Sequence, residues 1–205
     1  LPCWGIRRTR NAYSPRRSVL KGAGALDAGH RPGLGALTMS DLSDLTAPLA
    51  LPTERLPNRL AKAAMTEGLA DAHGRPTLAH VRLYEAWGKG GCGLLISGNV
   101  MVDRNHLEKP GNVVIESAPD RETRALYQDW TRAARSGGAG FWMQLSHAGR
   151  QTFATVNPSP KAPSAVPVAI AGKLFGPPVP LTEPEILDII ERFAVAAEVA
   201  RDTGF

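Results

Sequence analysis

Cysteine is scarce in this sequence, and long apolar runs are missing. The 205 residues include only two cysteines, Cys3 and Cys92, so neither a disulfide framework nor a C-x-x-C metal pair can form. Scarce cysteine is typical of proteins in reducing compartments, and we expect a cytoplasmic protein. No stretch approaches the roughly 18 consecutive apolar residues of a membrane-spanning helix, so no membrane partner is predicted.

Motifs for nucleotide and metal chemistry are missing as well. The sequence has no Walker lysine loop, and no G-x-G-x-x-G follows a predicted strand, which disfavours a Rossmann nucleotide site. It also lacks H-E-x-x-H, G-x-S-x-G and paired cysteine ligands. We therefore predict no metal site.

Positive charge is concentrated at the amino terminus. The net charge of +5 and the pI near 9.6 would suit a nucleic-acid partner if the charge were spread over the fold. However, residues 1–38 hold seven basic side chains and one acid, whereas the remainder holds 17 basic and 18 acidic side chains. Because the remainder is nearly neutral, we expect no nucleic-acid partner, although a nucleic-acid-binding leader stays open as an alternative.

The first 38 residues have the composition of a disordered basic leader. They are rich in arginine and glycine and show no apolar period, and the first methionine is Met39. We interpret residues 1–38 as a leader that is possibly not native, and residues 39–205 as the folded part. Residues 16–21, R-R-S-V-L-K, resemble a twin-arginine export signal, but Asp27 interrupts the apolar stretch that must follow.

Three short apolar runs, at residues 60–65, 93–97 and 141–145, alternate with amphipathic segments. Such runs, bounded by glycines, are typical of strands that are buried on both faces. Strands separated by helices run parallel with right-handed crossovers. The order β-α-β-α-β-α therefore predicts an α/β fold, either an open doubly wound sheet or part of a (β/α)8 barrel.

Capping residues predict where the helices begin. Thr77 can cap a first helix with Leu78, Val81 and Tyr84 on one face, and a second helix begins near Pro119. We expect the aromatic residues of these helices to lie in the core, namely Tyr84, Trp87 and Trp130.

The last helix has the clearest signal. Thr182 and Glu185 form a capping box, and Gly204 is a suitable stop. Between them, one apolar stripe is predicted to face the core, made of Ile186, Ile189, Ile190, Phe193, Ala194, Ala197 and Ala200.

Polar residues collect where each apolar run stops, at residues 65–67, 97–99 and 144–147. In parallel α/β folds, the carboxyl ends of the strands meet at one edge of the sheet and hold the chemistry. These three segments are therefore the candidate site.

Four segments, in order along the chain, carry recognisable motifs. Residues 58–66, N-R-L-A-K-A-A-M-T, resemble the first barrel strand of the Old Yellow Enzyme family, and residues 93–98, G-L-L-I-S-G, resemble its second. Residues 144–150, Q-L-S-H-A-G-R, are similar to its third strand and the following loop. Residues 181–186 and 200–205 resemble the helix that leads into strand four.

The resemblance implies the amino-terminal portion of a (β/α)8 TIM barrel, with about three of the eight β/α units. It also implies an FMN-dependent ene-reductase that reduces activated C=C bonds of α,β-unsaturated carbonyl compounds, with NADPH or NADH as hydride donor. The partner would be a small enone-type substrate, and a homo-oligomer is compatible with the full-length enzyme.

The resemblance also implies five cofactor-binding residues. Ala64 and Met65 would lie against the flavin ring, and Thr66 would place its hydroxyl on flavin O4. Gly98 would leave room for the pyrimidine end of the ring. Gln144 would offer one donor and one acceptor to flavin O2 and N3–H.

His147 and Arg150 are expected mainly to shape the loop after the third strand. The catalytic residues of the family are expected after Phe205, so the chain alone is expected to be unstable and inactive. Two alternatives stay open: a related flavin barrel enzyme of the dienoyl-CoA reductase or amine dehydrogenase type, and a non-catalytic fragment.

Overall fold

The first described elements are a short helix and a small hairpin, neither of which was predicted from the sequence. The computed structural model describes residues 39–169 and 174–205, so the predicted leader and export signal lie outside the described residues. Helix α1 (Met39–Thr46) precedes an antiparallel pair of two-residue strands, β1 (Leu49–Ala50) and β2 (Arg55–Leu56).

A parallel sheet forms where the sequence predicts three strands. Strand β4 (Leu94–Met101) pairs in parallel with β3 (Ala61–Lys62), β5 (Val113–Val114) and β6 (Gly140–Ser146). Strand β3 pairs with the first two residues of β4 and β5 with its last two, whereas β6 pairs along its whole length. The predicted parallel order is therefore confirmed, but only two residues of the run at 60–65 pair as a strand.

Two crossover helices pack on one face of this sheet. Helices α2 (Leu78–Gly88) and α3 (Arg121–Ala134) begin at the predicted places, with Thr77 and Asp120 as their N-caps. The aromatic core between the sheet and the helices includes Tyr84 and Trp130, as predicted, while Trp87 is only partly buried.

The predicted inner face of α2 is partly wrong. His80, Tyr84 and Gly88 are its buried residues, whereas Leu78 is exposed. The reason is helix packing: a Cβ at Gly88 would collide with the backbone carbonyl of Ala134 in α3. The face that contains Gly88 must therefore turn towards α3, and this rotation leaves Leu78 outside.

The last part of the chain forms a second small strand pair and a long helix. Strand β7 (Lys161–Ala162) pairs with β8 (Val179–Pro180), and helix α4 (Glu183–Thr203) follows. The predicted capping box is confirmed, because the Thr182 N–H donates to Glu185 Oε2 at 2.7 Å. The predicted stop is also confirmed, because Gly204 is left-handed with φ of 97°.

The predicted buried stripe of α4 is wrong, because none of its residues is fully buried. The buried residues of the helix are Ala196, Val199 and Thr203, whereas the stripe has four exposed members, Ile186, Ile190, Ala194 and Ala197, and three half-buried ones, Ile189, Phe193 and Ala200. The physical reason is the position of the neighbours. Among the described residues, α4 is hydrogen-bonded to α3 at its carboxyl end, where the Thr131 hydroxyl donates to the Thr203 carbonyl at 2.8 Å.

Within the described ranges, none of the helices combines the length and the apolar character needed to cross a membrane.

Candidate functional site

A β-bulge in β4 determines which side chains share the face of the sheet opposite the helices. Ile96 pairs with Trp142 and Asn99 pairs with Gln144, so three steps along β4 match two steps along β6. Strict alternation would place residues 96 and 99 on opposite faces, but the extra residue brings them to the same one. Phe141 lies in the core behind the sheet, so Trp142 and Gln144 face away from it and are exposed.

Hydrogen bonds from Ser97 hold this bulge. The buried Ser97 hydroxyl accepts the Gln144 N–H at 2.9 Å and donates to the Gly98 carbonyl at 2.9 Å. A single hydroxyl thus satisfies two backbone groups that the interrupted strand ladder leaves free. The register of Asn99 and Gln144 follows from this contact.

Gly98 allows the tip of the first strand to approach the bulge. A Cβ at this position would collide with the Met65 carbonyl and the Glu67 carboxylate. The Gly98 N–H donates to Glu67 Oε1 at 3.0 Å. Met65 and Glu67 of the chain itself thus already require a glycine here, and the contact of Gly98 with a flavin stays a prediction.

Glu67 is held by a tyrosine of the core. The Tyr84 hydroxyl donates a short hydrogen bond to Glu67 Oε1. Burial first and the nearby carboxylate second raise the pKa of Tyr84 well above its ordinary value. Tyr84 therefore stays protonated and acts as a donor, which fixes the segment containing Thr66 against β4.

Two donors converge on a single oxygen beside this anchored tip. The Thr66 hydroxyl donates to Glu108 Oε2 at 2.5 Å, and the Asn99 side-chain N–H donates to the same oxygen at 2.7 Å. Asn99 Nδ2 lies 3.4 Å from Thr66 Oγ1. Asn99 thus lies between Thr66 and Gln144. Its side chain is within hydrogen-bond distance of Thr66, and its backbone pairs with Gln144 across the two strands.

A cavity of about 260 Å³ adjoins the converging donors. Its walls combine polar and aromatic side chains, which include Asn99, Glu108, Ser146, His147, Phe153 and Phe175. Such a mixture of a few convergent polar groups with apolar walls is typical of a small-molecule site.

A second polar cluster lies behind the cavity and joins Asp103, His106 and His147. His106 Nδ1 lies 2.7 Å and His147 Nε2 lies 3.7 Å from Asp103 Oδ2, and the two imidazole rings stack at 4.5 Å. Burial alone would raise the pKa of Asp103. The hydrogen bond from His106, the adjacent His147 and the Asn105 N–H outweigh burial and hold that pKa well below its ordinary value.

These three side chains have the ligand types of a metal site, but their hydrogen bonds favour another arrangement. The Lys161 N–H donates to His106 Nε2 at 2.8 Å, and the Gly149 N–H donates to His147 Nδ1 at 3.1 Å. Since a neutral imidazole carries one proton, the ring nitrogens that face Asp103 are the protonated ones. A metal ion would need lone pairs there, so the cluster is better described as a hydrogen-bonded Asp103–His106 pair, with the buried His147 Nε2 3.7 Å from the carboxylate and outside hydrogen-bond distance.

The structure places Ala64, Met65 and Thr66 just after β3, Gly98 within β4 and Gln144 within β6. Ala64 is half-buried, Met65 is exposed, Thr66 is half-buried, Gly98 is buried and Gln144 is exposed. Their role in binding a cofactor stays a prediction. His147 and Arg150 contact the loop, as the hydrogen bond from the Arg150 guanidinium to the Val166 carbonyl illustrates.

Glu108 was not predicted as a site residue, and Asn99 was predicted only as part of the candidate segment 97–99, without its contacts. Asn99 belongs to the polar strand end at 97–99, but strict alternation gave no reason to place it beside Gln144. Glu108 lies in the loop between β4 and β5, where no periodic pattern indicates a side-chain direction.

Comparison with known proteins gives a consistent family match. Residues 44–205 match the sequence model of the NADH:flavin oxidoreductase / NADH oxidase family. The NADH-dependent flavin oxidoreductase nadA of Aspergillus parasiticus is 36% identical over 80% of this chain and 40% of its own length. The NADH-dependent flavin oxidoreductase iliE of Hypocrea jecorina is 34% identical over 73% of this chain and 41% of its own. The chain thus spans well under half the length of these relatives.

Solved structures confirm the fold. An Old Yellow Enzyme homologue from Zymomonas mobilis superposes with a TM-score of 0.67 at 25% identity, over 79% of this chain and 46% of its own. A 2-naphthoyl-CoA reductase, at 21% identity, shows the same fold with a TM-score of 0.71 over 80% of this chain and 26% of its own. Of the two folds that the sequence allowed, the portion of a TIM barrel is therefore confirmed, and the open doubly wound sheet is not.

Proposed function

Because this chain belongs to the NADH:flavin oxidoreductase / NADH oxidase family, we propose that it forms part of the FMN site of an oxidoreductase. One observation supports this proposal above the others. Thr66 and Asn99 donate to a single acceptor oxygen on the sheet face that also presents Gln144. In this proposal, a ligand carbonyl would take the position that the Glu108 oxygen occupies.

The residues present fit the ring edge of a flavin. An isoalloxazine edge offers two carbonyl oxygens with an N–H between them, and it therefore needs donors and one acceptor in a row. Thr66 and Asn99 would serve one carbonyl, and the exposed Gln144 amide would serve the N–H and the other carbonyl. The exposed side chains of Met65 and Trp142 offer apolar surface for the ring.

FMN, when bound, would supply hydride transfer to the substrate. The residues of this chain would orient the ring, because its edge would be fixed by Thr66, Asn99 and Gln144. A hydrogen-bond donor at flavin O4 favours the electron-rich reduced ring over the oxidised one. The Thr66 hydroxyl would therefore also raise the reduction potential of the flavin.

We propose an activated C=C bond of an α,β-unsaturated carbonyl compound as the substrate, on the strength of the motif resemblance. NADH is the favoured hydride donor over NADPH, since the names of both fungal relatives specify NADH.

The flavin site is tested by titrating FMN into the purified 205-residue chain, with quenching of flavin fluorescence as the readout. Because the chain alone is expected to be unstable, cooperative urea unfolding first establishes that the sample is folded. We expect binding by the folded wild type and about tenfold weaker binding by Q144A, the loss of about one hydrogen bond. The matched control Q128A, at an exposed position of α3, should bind like the wild type. A wild-type chain that unfolds cooperatively yet does not quench FMN would contradict the proposal.

A further inference from the structure

The cavity contains a carboxylate that the motif resemblance does not explain. We propose that Glu108 is an internal competitor for the flavin, which occupies the two ring-edge donors until a flavin carbonyl displaces it. This inference rests on the proposed flavin site and identifies a residue that sets the affinity of that site.

The competition follows from the number of protons available. A threonine hydroxyl has one hydrogen, and the Thr66 hydrogen is directed to Glu108 Oε2. Thr66 cannot donate to a flavin carbonyl while this bond exists. Asn99 directs one of its two amide hydrogens to the same oxygen, so both donors must be released together.

Glu108 is presented to these donors by a fixed loop. On its carboxyl side, the Lys109 N–H donates to the buried Asn112 Oδ1 at 3.0 Å, and Asn112 Nδ2 donates to the Asn99 carbonyl at 3.4 Å. On its amino side, His106 is held by Asp103. The carboxylate therefore reaches Thr66 because the loop is tied to β4 on both sides.

The same contacts explain why displacement is feasible. Across residues 39–169 and 174–205, no basic side chain forms an ion pair with Glu108. Its charge is stabilised by Thr66, by Asn99 and by the open cavity that it lines. A half-buried carboxylate at a cavity wall can turn into water and recover its solvation there.

A carboxylate oxygen is also a stronger hydrogen-bond acceptor than the flavin carbonyl oxygen with which it competes. Hydrogen bonds to an ionised acceptor are roughly twice as strong as those to a neutral carbonyl. Glu108 therefore lowers the apparent flavin affinity, and a neutral amide at the same position should lower it less. This ordering predicts a graded series in which E108A binds flavin most tightly, E108Q binds it less tightly and the wild type least.

The test compares dissociation constants for FMN and for riboflavin, which lacks the phosphate, across the wild type, E108Q, E108A and the control E191A, an exposed glutamate of α4. We expect E108A to bind both flavins about tenfold more tightly than the wild type, equivalent to about 1.4 kcal/mol. In a T66V background the gain should fall below about threefold, because one contested donor is gone. E191A should match the wild type.

Each other outcome has a distinct meaning. A wild type that binds FMN with no gain in E108A overturns the competition and leaves the proposed function intact. Alternatively, E108A binds FMN but not riboflavin more tightly, with an equal gain in the T66V background. That result would show that Glu108 repels the FMN phosphate, and it would also overturn the competition. Folded wild type and E108A that both fail to bind either flavin overturn the proposed function, and the inference with it. Binding by E108A alone would support both.

Discussion

Glu67 accepts hydrogen bonds from a side chain of the core and from the backbone of the bulge. Its Oε1 receives the Tyr84 hydroxyl and the Gly98 N–H, so one carboxylate joins the first strand tip, α2 and β4. The position of Thr66, the next residue back along the chain, depends on this junction. The stability of the junction can be tested at the Tyr84 hydroxyl.

We expect Y84F to lower the free energy of unfolding by about 2 kcal/mol, because it removes a donor from a partly buried charged acceptor. The matched variant is Y127F, whose hydroxyl donates to the neutral Val114 carbonyl at 3.2 Å and should cost about 1 kcal/mol. Urea unfolding of both variants makes the comparison. Equal losses would show that the Glu67 contact adds nothing beyond an ordinary hydrogen bond.

Residue chemistry at the strand tips was only partly predictable. Thr66 and Gln144 could be named because they stand at the ends of apolar runs inside recognisable motifs. Asn99 could not be paired with Gln144, because a bulge is set by strand pairing that no local pattern reveals. Glu108 comes from a loop whose path depends on contacts between distant residues, such as Asn112 with Asn99.

Helix α4 has two halves with different environments. Its carboxyl half buries Val199 and Ala196 against the core, whereas Ile190 and Leu187 of its amino half are about 60% exposed. The helix begins at a capping box and ends at a left-handed glycine, so its limits depend on local sequence. The face that it buries depends on α3, which the local sequence does not encode.

We expect V199A to reduce the free energy of unfolding by about 2 kcal/mol, because it leaves a void in packed surroundings. I190A, which removes more atoms from an exposed position, should change it by less than about 0.5 kcal/mol. Thermal and urea unfolding of the two variants distinguish the observed buried face from the predicted one. A larger loss for I190A would restore the predicted stripe.

Elements with caps and apolar periods were predictable, and very short ones were not. The parallel order and all three long helices followed from sequence, since burial on both faces and capping residues are local signals. The hairpin of β1 and β2 has two residues in each strand, too few for any alternation to appear. Helix α1 likewise spans only eight residues.

Across the whole molecule, Asp103 links segments that are distant in sequence. It follows β4 and contacts His106 of the next loop and His147 after β6, and Arg192 of α4 lies 3.9 Å from Oδ1. His106 in turn accepts the N–H of Lys161 in β7. The ionised carboxylate thus stabilises the arrangement of loops around the cavity.

The free energy of unfolding should therefore decrease at low pH, because Asp103 becomes protonated there. The pKa of this carboxyl is lower in the folded state than in the unfolded chain, so its contribution is complete above about pH 4 and is lost as the pH falls towards the folded value. Within that window the loss approaches about 1.4 kcal/mol per pH unit.

We expect D103N to be less stable than the wild type by about 2 kcal/mol near neutrality, and this difference should shrink below pH 4. Urea unfolding between pH 3 and 7 measures it, with D129N on the exposed face of α3 as the matched control. A difference that stays constant over the whole range would contradict the assigned role of Asp103.

Because of the bulge in β4, the face of the sheet on which the Asn99 amide lies depends on the number of residues between Ile96 and Asn99. Deleting one residue between Ile96 and Asn99 would restore strict alternation and turn that amide towards the helices. Any two homologues whose alignment requires a one-residue gap here would thus present opposite surfaces to a ligand, even with every flanking residue identical.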